Sequence, residues 1–295
     1  MDIGLKELYI KEKNEELFFW GKIKAETSDY FIAVGVDFKG HYEFPIKKYY
    51  YAISKTIKPE VENQEEGAQE IPPILAFDFR RLPETFDYHD EDFKVNYLKP
   101  LTGDPRKIIK TYKVEGEEEQ EQQNEGEEEK EPVDPDASED ENAKVKEEPK
   151  ENFTEELKLS YIVRQIDYDT SIVPEGALKL IPEHELRINK TFKGLKPEQL
   201  KNKKYFLHFR PIIDEKKREY IESDDSIDRF DILDSIETDS VKGSWSIQVD
   251  PTKTICNVRS LLWPGYYCVH KANSKIYCSI YIGNGIKNTE LPFMI

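Results

Sequence analysis

The sequence has very little cysteine and no long apolar run. Its 295 residues include only three cysteines, Cys256, Cys268 and Cys278, which are too few for a disulfide framework and do not have the spacing of a zinc site. No apolar run approaches the roughly 20 residues that span a bilayer, and the charged N-terminus lacks the apolar core of a signal peptide. These absences predict a soluble protein of a reducing, intracellular compartment that does not enter a membrane.

Signatures of catalysis and of metal binding are missing as well. The five histidines are scattered, and no pair has the spacing of a helical metal site. Residues 224–235 fail as a calcium loop because Arg229 stands where glycine is needed. Gly283-Asn284-Gly285 begins like a dinucleotide-binding loop, but Asn288 replaces the third glycine, so a turn is predicted. We therefore predict no enzymatic activity, no metal and no cofactor, and without a clustered basic face we predict no nucleic-acid binding.

Negative charge is concentrated in one segment. The formal net charge is −17, and residues 115–151 alone hold 18 acidic residues and four lysines, which leaves a balance of −3 for the rest. This segment has no aromatic residue, so it cannot bury enough apolar surface to offset an ordering entropy of about 1–2 kcal/mol per residue. We predict a disordered acidic insert at residues 115–151. It separates an N-terminal β-rich part, residues 1–114, from an α+β part, residues 152–295.

The insert also contains a candidate phosphorylation site. Ser138 is followed by Glu139, Asp140 and Glu141, a pattern that suits an acid-directed kinase. Such patterns also arise by chance in acidic segments.

Alternating residues predict β-structure at the N-terminus and helices after the insert. LFFWGKIK and YFIAVGV are expected to form a hairpin, and residues 49–53 to continue its sheet. Asn152 is expected to cap a helix with Glu155 at its third position. The apolar face of this helix consists of Leu159, Ile162, Val163 and Ile166. Further helices are predicted from Pro197 toward Tyr205 and over residues 224–236.

The C-terminal residues predict a four-strand antiparallel meander with one core face. Trp245, Ile247 and Val249 alternate with polar residues, and Pro264-Gly265 separates the second and third strands. Cys268 and Cys278 fall on neighbouring strands and are expected to face each other as small core residues. The predicted fold class is α+β, mainly antiparallel sheet with a few helices.

An aromatic group surrounds the Pro264-Gly265 turn and has two interpretations. Trp263, Tyr266 and Tyr267 are candidates for contact with a partner protein. The alternative is that they close the end of the core, because aromatic side chains supply much of a core's buried area.

Several strings of the sequence resemble a known family. They are LFFWGKIKAETSDYFIAVG near the start, IVPEGALKL, NKTFKGL and YFLHFR in the middle, and DSIETDSVKGSWSIQVD, RSLLWPG and GNGIKNTELPFMI near the end. In order and content they resemble the radial spoke head protein 9 family of motile cilia and flagella. The family usually has a longer helical segment before the FWG strand, and the acidic insert looks particular to this sequence.

The resemblance implies a non-enzymatic cytoskeletal subunit of the axonemal radial spoke head. Spokes relay mechanical signals between the central pair of microtubules and the dynein arms, and the expected neighbours are radial spoke head proteins 4 and 6. At a spoke surface the acidic insert would repel or steer a charged partner, or it is simply a tolerated surface insertion. The runner-up is an acidic chaperone that shields basic partners, supported by the insert alone, and a hydrolase is a third interpretation.

Overall fold

A computed structural model of the chain describes residues 2–38, 44–53, 55–57, 74–84, 99–113, 150–181, 185–213, 215–223 and 232–294. Its helices are α1 (Asp2–Glu12), α2 (Glu155–Thr170) and α3 (Glu215–Ser223), with short 3₁₀ turns at Lys203–Tyr205, Ile236–Thr238 and Leu291–Phe293. The strands are β1 (Glu16–Ile23), β2 (Tyr30–Asp37), β3 (Ile46–Ile53), β4 (Lys55–Ile57), β5 (Ile74–Ala76), β6 (Arg80–Arg81), β7 (Ile108–Lys113), β8 (Lys150–Thr154), β9 (Ile172–Pro174), β10 (Leu178–Leu180), β11 (Leu186–Ile188), β12 (Phe206–His208), β13 (Trp245–Val249), β14 (Ile255–Ser260), β15 (Tyr266–Lys271) and β16 (Tyr277–Gly283).

One eight-stranded sheet joins the two ends of the chain. Its strand order is β13-β14-β15-β16-β1-β2-β3-β6, and four further strand pairs stand outside it among the described residues. The strands β13 to β16 form the predicted antiparallel meander, and β1 to β3 form the predicted N-terminal sheet. Both the α+β class and the meander are therefore confirmed.

The two halves of the sheet meet in a parallel pair, β1 with β16. Gly21 of β1 lies opposite Tyr281 there, and a Cβ atom at Gly21 would sit 2.1 Å from the Tyr281 carbonyl oxygen. Only glycine lets the two backbones approach this closely. This junction was not predicted, because two strands so distant in sequence carry no local signal of their pairing.

Helix α2 covers one face of the sheet with its apolar side. Leu159, Ile162, Val163 and Ile166 are each at most 1% exposed. They pack against inward-facing side chains from both halves of the sheet, among them Tyr30, Ile32, Val34, Tyr49, Trp245, Val258 and Tyr281. The predicted apolar face of α2 is confirmed, and the face of the sheet that α2 covers is called the inner face below.

The start of α2 differs from the prediction. Asn152 lies in strand β8 and not at a helix cap, and the helix begins at Glu155 after Thr154. The Glu155 carboxylate, which the capping motif would have directed to the backbone of Asn152, instead accepts hydrogen bonds from Tyr30 Oη at 2.7 Å and Gly103 N at 2.7 Å. The strand pair β7–β8 sets this arrangement, because β8 runs straight into the helix.

The end of α2 is fixed to the sheet by two aspartates. Asp167 accepts hydrogen bonds from Trp20 Nε1 at 3.0 Å and Tyr49 Oη at 2.8 Å. It also forms an ion pair with Lys47 at 2.5 Å. Asp169 accepts from Trp263 Nε1 at 2.8 Å and from Lys287 at 2.9 Å, which belong to the C-terminal half of the chain. Two residues of one helix therefore tie it to both ends of the sequence.

The opposite face of the sheet is covered over β1 to β3 by α1. Leu8 of α1 is buried together with Ala33, Tyr50, Ala52 and Phe79, and Phe77 packs edge-on against Phe31 at 4.7 Å between ring centroids. This second face is called the outer face below.

Other predictions fail or fall outside the described residues. Residues 197–205 form turns and one short 3₁₀ segment rather than an α-helix. The run is so short that its few helical hydrogen bonds would not offset the cost of starting a helix. Of the helix predicted at 224–236, residues 224–231 are not described, while Ile232 and Leu233 are buried without forming a helix. The acidic insert with Ser138 lies outside the described residues, apart from Lys150 and Glu151 in β8.

The Asp167 contacts predict a large effect of a small substitution. Asp167→Asn leaves the Lys47 ammonium without its counter-charge in the interior, so we expect the free energy of unfolding to fall by about 3 kcal/mol. The matched control is Asp29→Asn, because Asp29 also pairs with a lysine, Lys22 at 2.8 Å, but near the surface. We expect a loss below about 1 kcal/mol there. Urea denaturation measures both, and equal losses would contradict the role given to Asp167.

Candidate partner-binding surface

Successive side chains of strand β15 alternate between the inner and the outer face of the meander. Tyr266, Cys268 and His270 are at most 4% exposed, whereas Tyr267 and Val269 are 40% and 43% exposed. Side chains of a strand alternate between faces, so the first three residues point toward α2 and the others away from it. The strand thus carries apolar residues on both faces, and only one set is covered.

The three predicted partner residues do not lie together. Trp263 is fully buried and donates its indole N–H to Asp169, and Tyr266 is buried with its Oη accepting from Ile172 N at 3.1 Å. Both side chains therefore close the end of the core, which was the alternative to partner contact. The interior supplies the hydrogen-bond partner that each buried polar group requires. Neither is accessible to a partner here, whereas Tyr267 is. A contact between this turn and a partner stays a prediction, and exposure favours Tyr267 alone.

The outer side of β13 to β16 forms one continuous surface, which we call the outer meander face. Tyr267 lies between Arg259 and Ile280, and Val269 lies between Asn257 and Cys278. The full set of outward-pointing residues is Ser246, Gln248, Ile255, Asn257, Arg259, Tyr267, Val269, Lys271, Cys278, Ile280 and Ile282.

Apolar side chains on this face are unusually accessible. Ile255 and Ile282 are 46% and 44% exposed, close to the values of Tyr267 and Val269. On the same face of the neighbouring strands, α1 and residues 77–79 bury Ala33, Tyr50 and Ala52 almost completely. Within the described residues, nothing equivalent to α1 covers the meander, and contiguous apolar patches of this kind mark interaction sites.

The charge of the outer meander face is opposite to that of the chain. The four strands contain no aspartate or glutamate, although the protein has 60 acidic residues in all. Arg259 and Lys271 are the basic residues of the face, and no ion pair is found for either within the described residues. Two buried polar atoms of this surface, Asn257 Oδ1 and Arg259 Nε, find no hydrogen-bond partner in that part of the chain.

The cysteines divide between the two faces. Cys268 is opposite Ser279, and Cys278 is opposite Val269, so Cys268 and Cys278 point to different sides of the sheet. The prediction that they face each other is wrong, because the register places them one residue apart and a one-residue shift reverses the face. Burial raises the pKa of the Cys256 thiol to about 12 and also raises that of Cys268, whereas Cys278 is exposed.

His208, which is buried, pairs with the partly buried Asp239, an arrangement that can form part of a catalytic site. His208 Nε2 lies 2.8 Å from Asp239 Oδ1, and Asp239 also accepts from Trp245 Nε1 at 2.6 Å. Burial raises the pKa of Asp239, but the contacts with His208, Trp245 and Arg210 together hold it below its ordinary value. His208 Nδ1 is buried with no hydrogen-bond partner among the described residues, so no nucleophile adjoins it there. The pair instead fixes Trp245 at the start of the meander.

The described residues contain neither a cluster of metal ligands nor a helix that could span a membrane. Across the ranges that the structure describes, no three His, Cys, Asp or Glu side chains stand close enough to hold a metal ion. None of the helices in those ranges combines the length and the apolar character needed to cross a membrane.

Comparison with known proteins assigns the family. No protein-family model matches the chain. A radial spoke head protein 9 homolog of Danio rerio is 30% identical over 283 residues, which cover 96% of this chain and 86% of that protein. The chain belongs to the radial spoke head protein 9 family. Members from Mus musculus and Homo sapiens are 41% and 39% identical over 141 residues, covering 48% of this chain and 51% of each relative. The resemblance seen in the sequence is confirmed.

The outer meander face was not predicted from the sequence, where the aromatic turn was the candidate for partner contact. Two signals in the strands indicate it. YYCVHK and IYCSIYI carry apolar residues at both odd and even positions, although an antiparallel sheet with one solvated face normally alternates. The absence of carboxylates from all four strands is the second signal, because 24 residues of average composition in so acidic a chain would include several.

The burial of Trp263 and the exposure of Tyr267 predict different costs for the same substitution. Trp263→Ala should lower the free energy of unfolding by about 3 kcal/mol or more, since it leaves a cavity and removes one of the two hydrogen-bond donors to Asp169. Tyr267→Ala should lower it by less than about 1 kcal/mol, because the side chain is largely at the surface. Urea denaturation followed by tryptophan fluorescence and circular dichroism measures both, and comparable losses would contradict the two-faced description of β15.

The environment of His270 predicts a dependence of stability on pH. His270 Nε2 accepts from Leu195 N at 3.1 Å, which leaves the proton on Nδ1 for the Ile276 carbonyl at 3.0 Å. Burial lowers the pKa of His270 below its ordinary value of 6.5, although the bond to Ile276 acts in the opposite direction. The unfolded chain therefore binds a proton first as pH falls through the ordinary range, and folding loses stability there.

We expect the wild-type chain to lose about 1 kcal/mol more than His270→Gln between roughly pH 7.5 and pH 5.5. Glutamine retains a hydrogen-bonding side chain but does not titrate. Parallel pH curves for the two proteins, measured by urea denaturation, would show that His270 does not cause the loss.

Proposed function

We propose that this protein is a non-enzymatic structural subunit of the radial spoke head in the axoneme of motile cilia or flagella. The similarity over 96% of the chain to a radial spoke head protein 9 homolog carries the proposal. In this role the subunit supports assembly of the spoke head, and the assembled head passes mechanical signals between the central pair and the dynein arms.

The architecture suits a structural role. The sheet unites both ends of the chain, and α2 is fixed to it by buried carboxylates at each end. Such a body transmits force as one unit, because its core is densely packed and hydrogen bonds tie its helix to both halves of the sheet.

We propose that the neighbours of the subunit are other spoke head proteins, specifically radial spoke head proteins 4 and 6. Contact with the projections of the central pair would be indirect, through the completed head. The protein's place is then the cytoskeleton of the cilium, bound to neither nucleic acid nor membrane, and no cofactor is required.

An acidic chaperone for basic proteins is the second candidate function, and residues 115–151 are what favours it. That segment carries most of the excess negative charge of the chain, which would attract histone-like partners in a salt-dependent way. Family membership makes it the weaker candidate, since the family match spans nearly the whole chain rather than the insert.

The location of the protein tests the proposal. We expect the full tagged chain to remain with purified axonemes and to co-purify with spoke head proteins after the spokes are extracted. Cells that lack the chain should have axonemes without complete spoke heads in cryo-electron maps, and re-expression should restore them. Recovery of the chain chiefly with basic proteins of the soluble fraction, and unchanged spokes in its absence, would contradict the proposal and favour the chaperone.

A further inference from the structure

We propose that the outer meander face binds a neighbouring protein whose surface carries an apolar stripe flanked by Asp or Glu carboxylates. This inference rests on the proposed function, because it takes that neighbour to be another spoke head subunit. Three observations on the face point to this chemistry: its apolar stripe, its charge and its unpaired polar atoms.

The apolar stripe runs across two adjacent strands. Tyr267 on β15 is opposite Ile280 on β16, and Ile282 follows two residues later on the same side. Val269 continues the stripe along β15. Tyrosine and aliphatic side chains on a flat sheet give a partner a large contact area at little entropic cost, because strand positions are already ordered.

The charges flank this stripe and determine what kind of partner fits. Arg259 lies beside Tyr267 at the start of β15, and Lys271 ends the strand. Lys271 lies four positions after Tyr267 in the extended strand, so the two cations stand roughly 13 Å apart along the strand direction. With no carboxylate in any of the four strands, the complementary surface is acidic at both ends of the stripe.

The same charges disfavour a second copy of this chain as the occupant. Two outer meander faces brought together would place arginine and lysine near arginine and lysine with no acidic residue between them. Like charges opposed in an interface suppress association. A different protein with carboxylates at these positions meets no such repulsion.

The unpaired polar atoms of the face also indicate that a hydrogen-bond partner is missing. Arg259 Nε and Asn257 Oδ1 sit on neighbouring positions of β14, and both are shielded from solvent without a hydrogen bond among the described residues. Buried polar groups are nearly always paired in native proteins. Both side chains are partly exposed, so a rotation toward the surface would bring Arg259 to a partner's carboxylate and Asn257 to a partner's donor.

The charge is tested with the double variant Arg259→Glu, Lys271→Glu in the full chain. Binding is measured against purified spoke heads from which the native subunit has been depleted, at low and high salt. We expect affinity to fall roughly tenfold or more, and its salt dependence to weaken. The matched control, Lys201→Glu with Lys204→Glu, reverses two exposed lysines on the segment beside the inner face, and should bind nearly as the wild type does.

The apolar stripe is tested with Tyr267→Thr, Val269→Thr and Ile282→Thr combined. Threonine keeps the β-branched preference for strands, so the sheet is retained while the apolar surface is lost. We expect roughly tenfold or greater weakening of the same binding. Ile108→Thr with Ile213→Thr is the control, since these isoleucines are 54% and 53% exposed elsewhere. Unfolding midpoints of all variants identify any loss that is due to folding alone.

The outcomes separate this inference from the proposed function. Weakening by both face variants but by neither control supports the inference. Full binding of the face variants to spoke heads would overturn it and leave the proposed function intact. Wild-type self-association that the face variants abolish would overturn it in favour of a second copy. Failure of the wild-type chain to enter spoke heads at all would overturn the proposed function, and with it the inference.

Discussion

The fold depends on carboxylates that accept hydrogen bonds from buried aromatic side chains. Each of the three tryptophans donates its indole N–H to an aspartate: Trp20 to Asp167, Trp263 to Asp169 and Trp245 to Asp239. A buried indole must find an acceptor, and a charged acceptor makes the bond about twice as strong as a neutral one. Because Asp167 and Asp169 both belong to α2, the position of that helix decides where two tryptophans from opposite ends of the sequence can be buried.

This constraint explains why α2 carries acidic residues on a side that faces the protein. Glu155 at its first turn is 2% exposed and binds Tyr30 and the backbone of Gly103, so the helix is held at both ends by polar contacts and along its middle by aliphatic packing. Acidic residues near a helix N-terminus also complement its dipole. The aliphatic residues supply most of the burial, while the carboxylates select one register of the helix on the sheet.

Periodic parts of the sequence were predictable, and long-range pairings were not. The strands of the meander and the apolar face of α2 follow from residue spacing, which local backbone geometry fixes. The prediction of a cap at Asn152 was wrong because the capping motif considers only nearby residues. The Glu155 carboxylate instead accepts a hydrogen bond from Tyr30, 125 residues away. The pairing of β1 with β16 and the acceptors of the tryptophans have no local signal, so the sequence shows which residues are apolar but not which face they share.

The same limit applies to the aromatic residues at the turn. Trp263, Tyr266 and Tyr267 are adjacent in sequence and equally aromatic, so composition cannot separate a core residue from a surface residue. What separates them is strand alternation together with a covering element, and α2 covers one face only. Exposure of Tyr267 is thus a property of the sheet and not of the turn.

The acidic segment leaves the fold on the side of the sheet opposite to the outer meander face. The chain leaves β7 at Lys113 and returns in β8 at Lys150, and these residues are opposite each other in the strand pair. The acidic segment between them therefore leaves and rejoins the fold at one strand pair, beside the first turn of α2 on the inner side of the sheet. The strands of the outer meander face, which contain no carboxylate, turn to the other side. The eight-stranded sheet therefore lies between the residues where the acidic segment leaves the fold and the outer meander face.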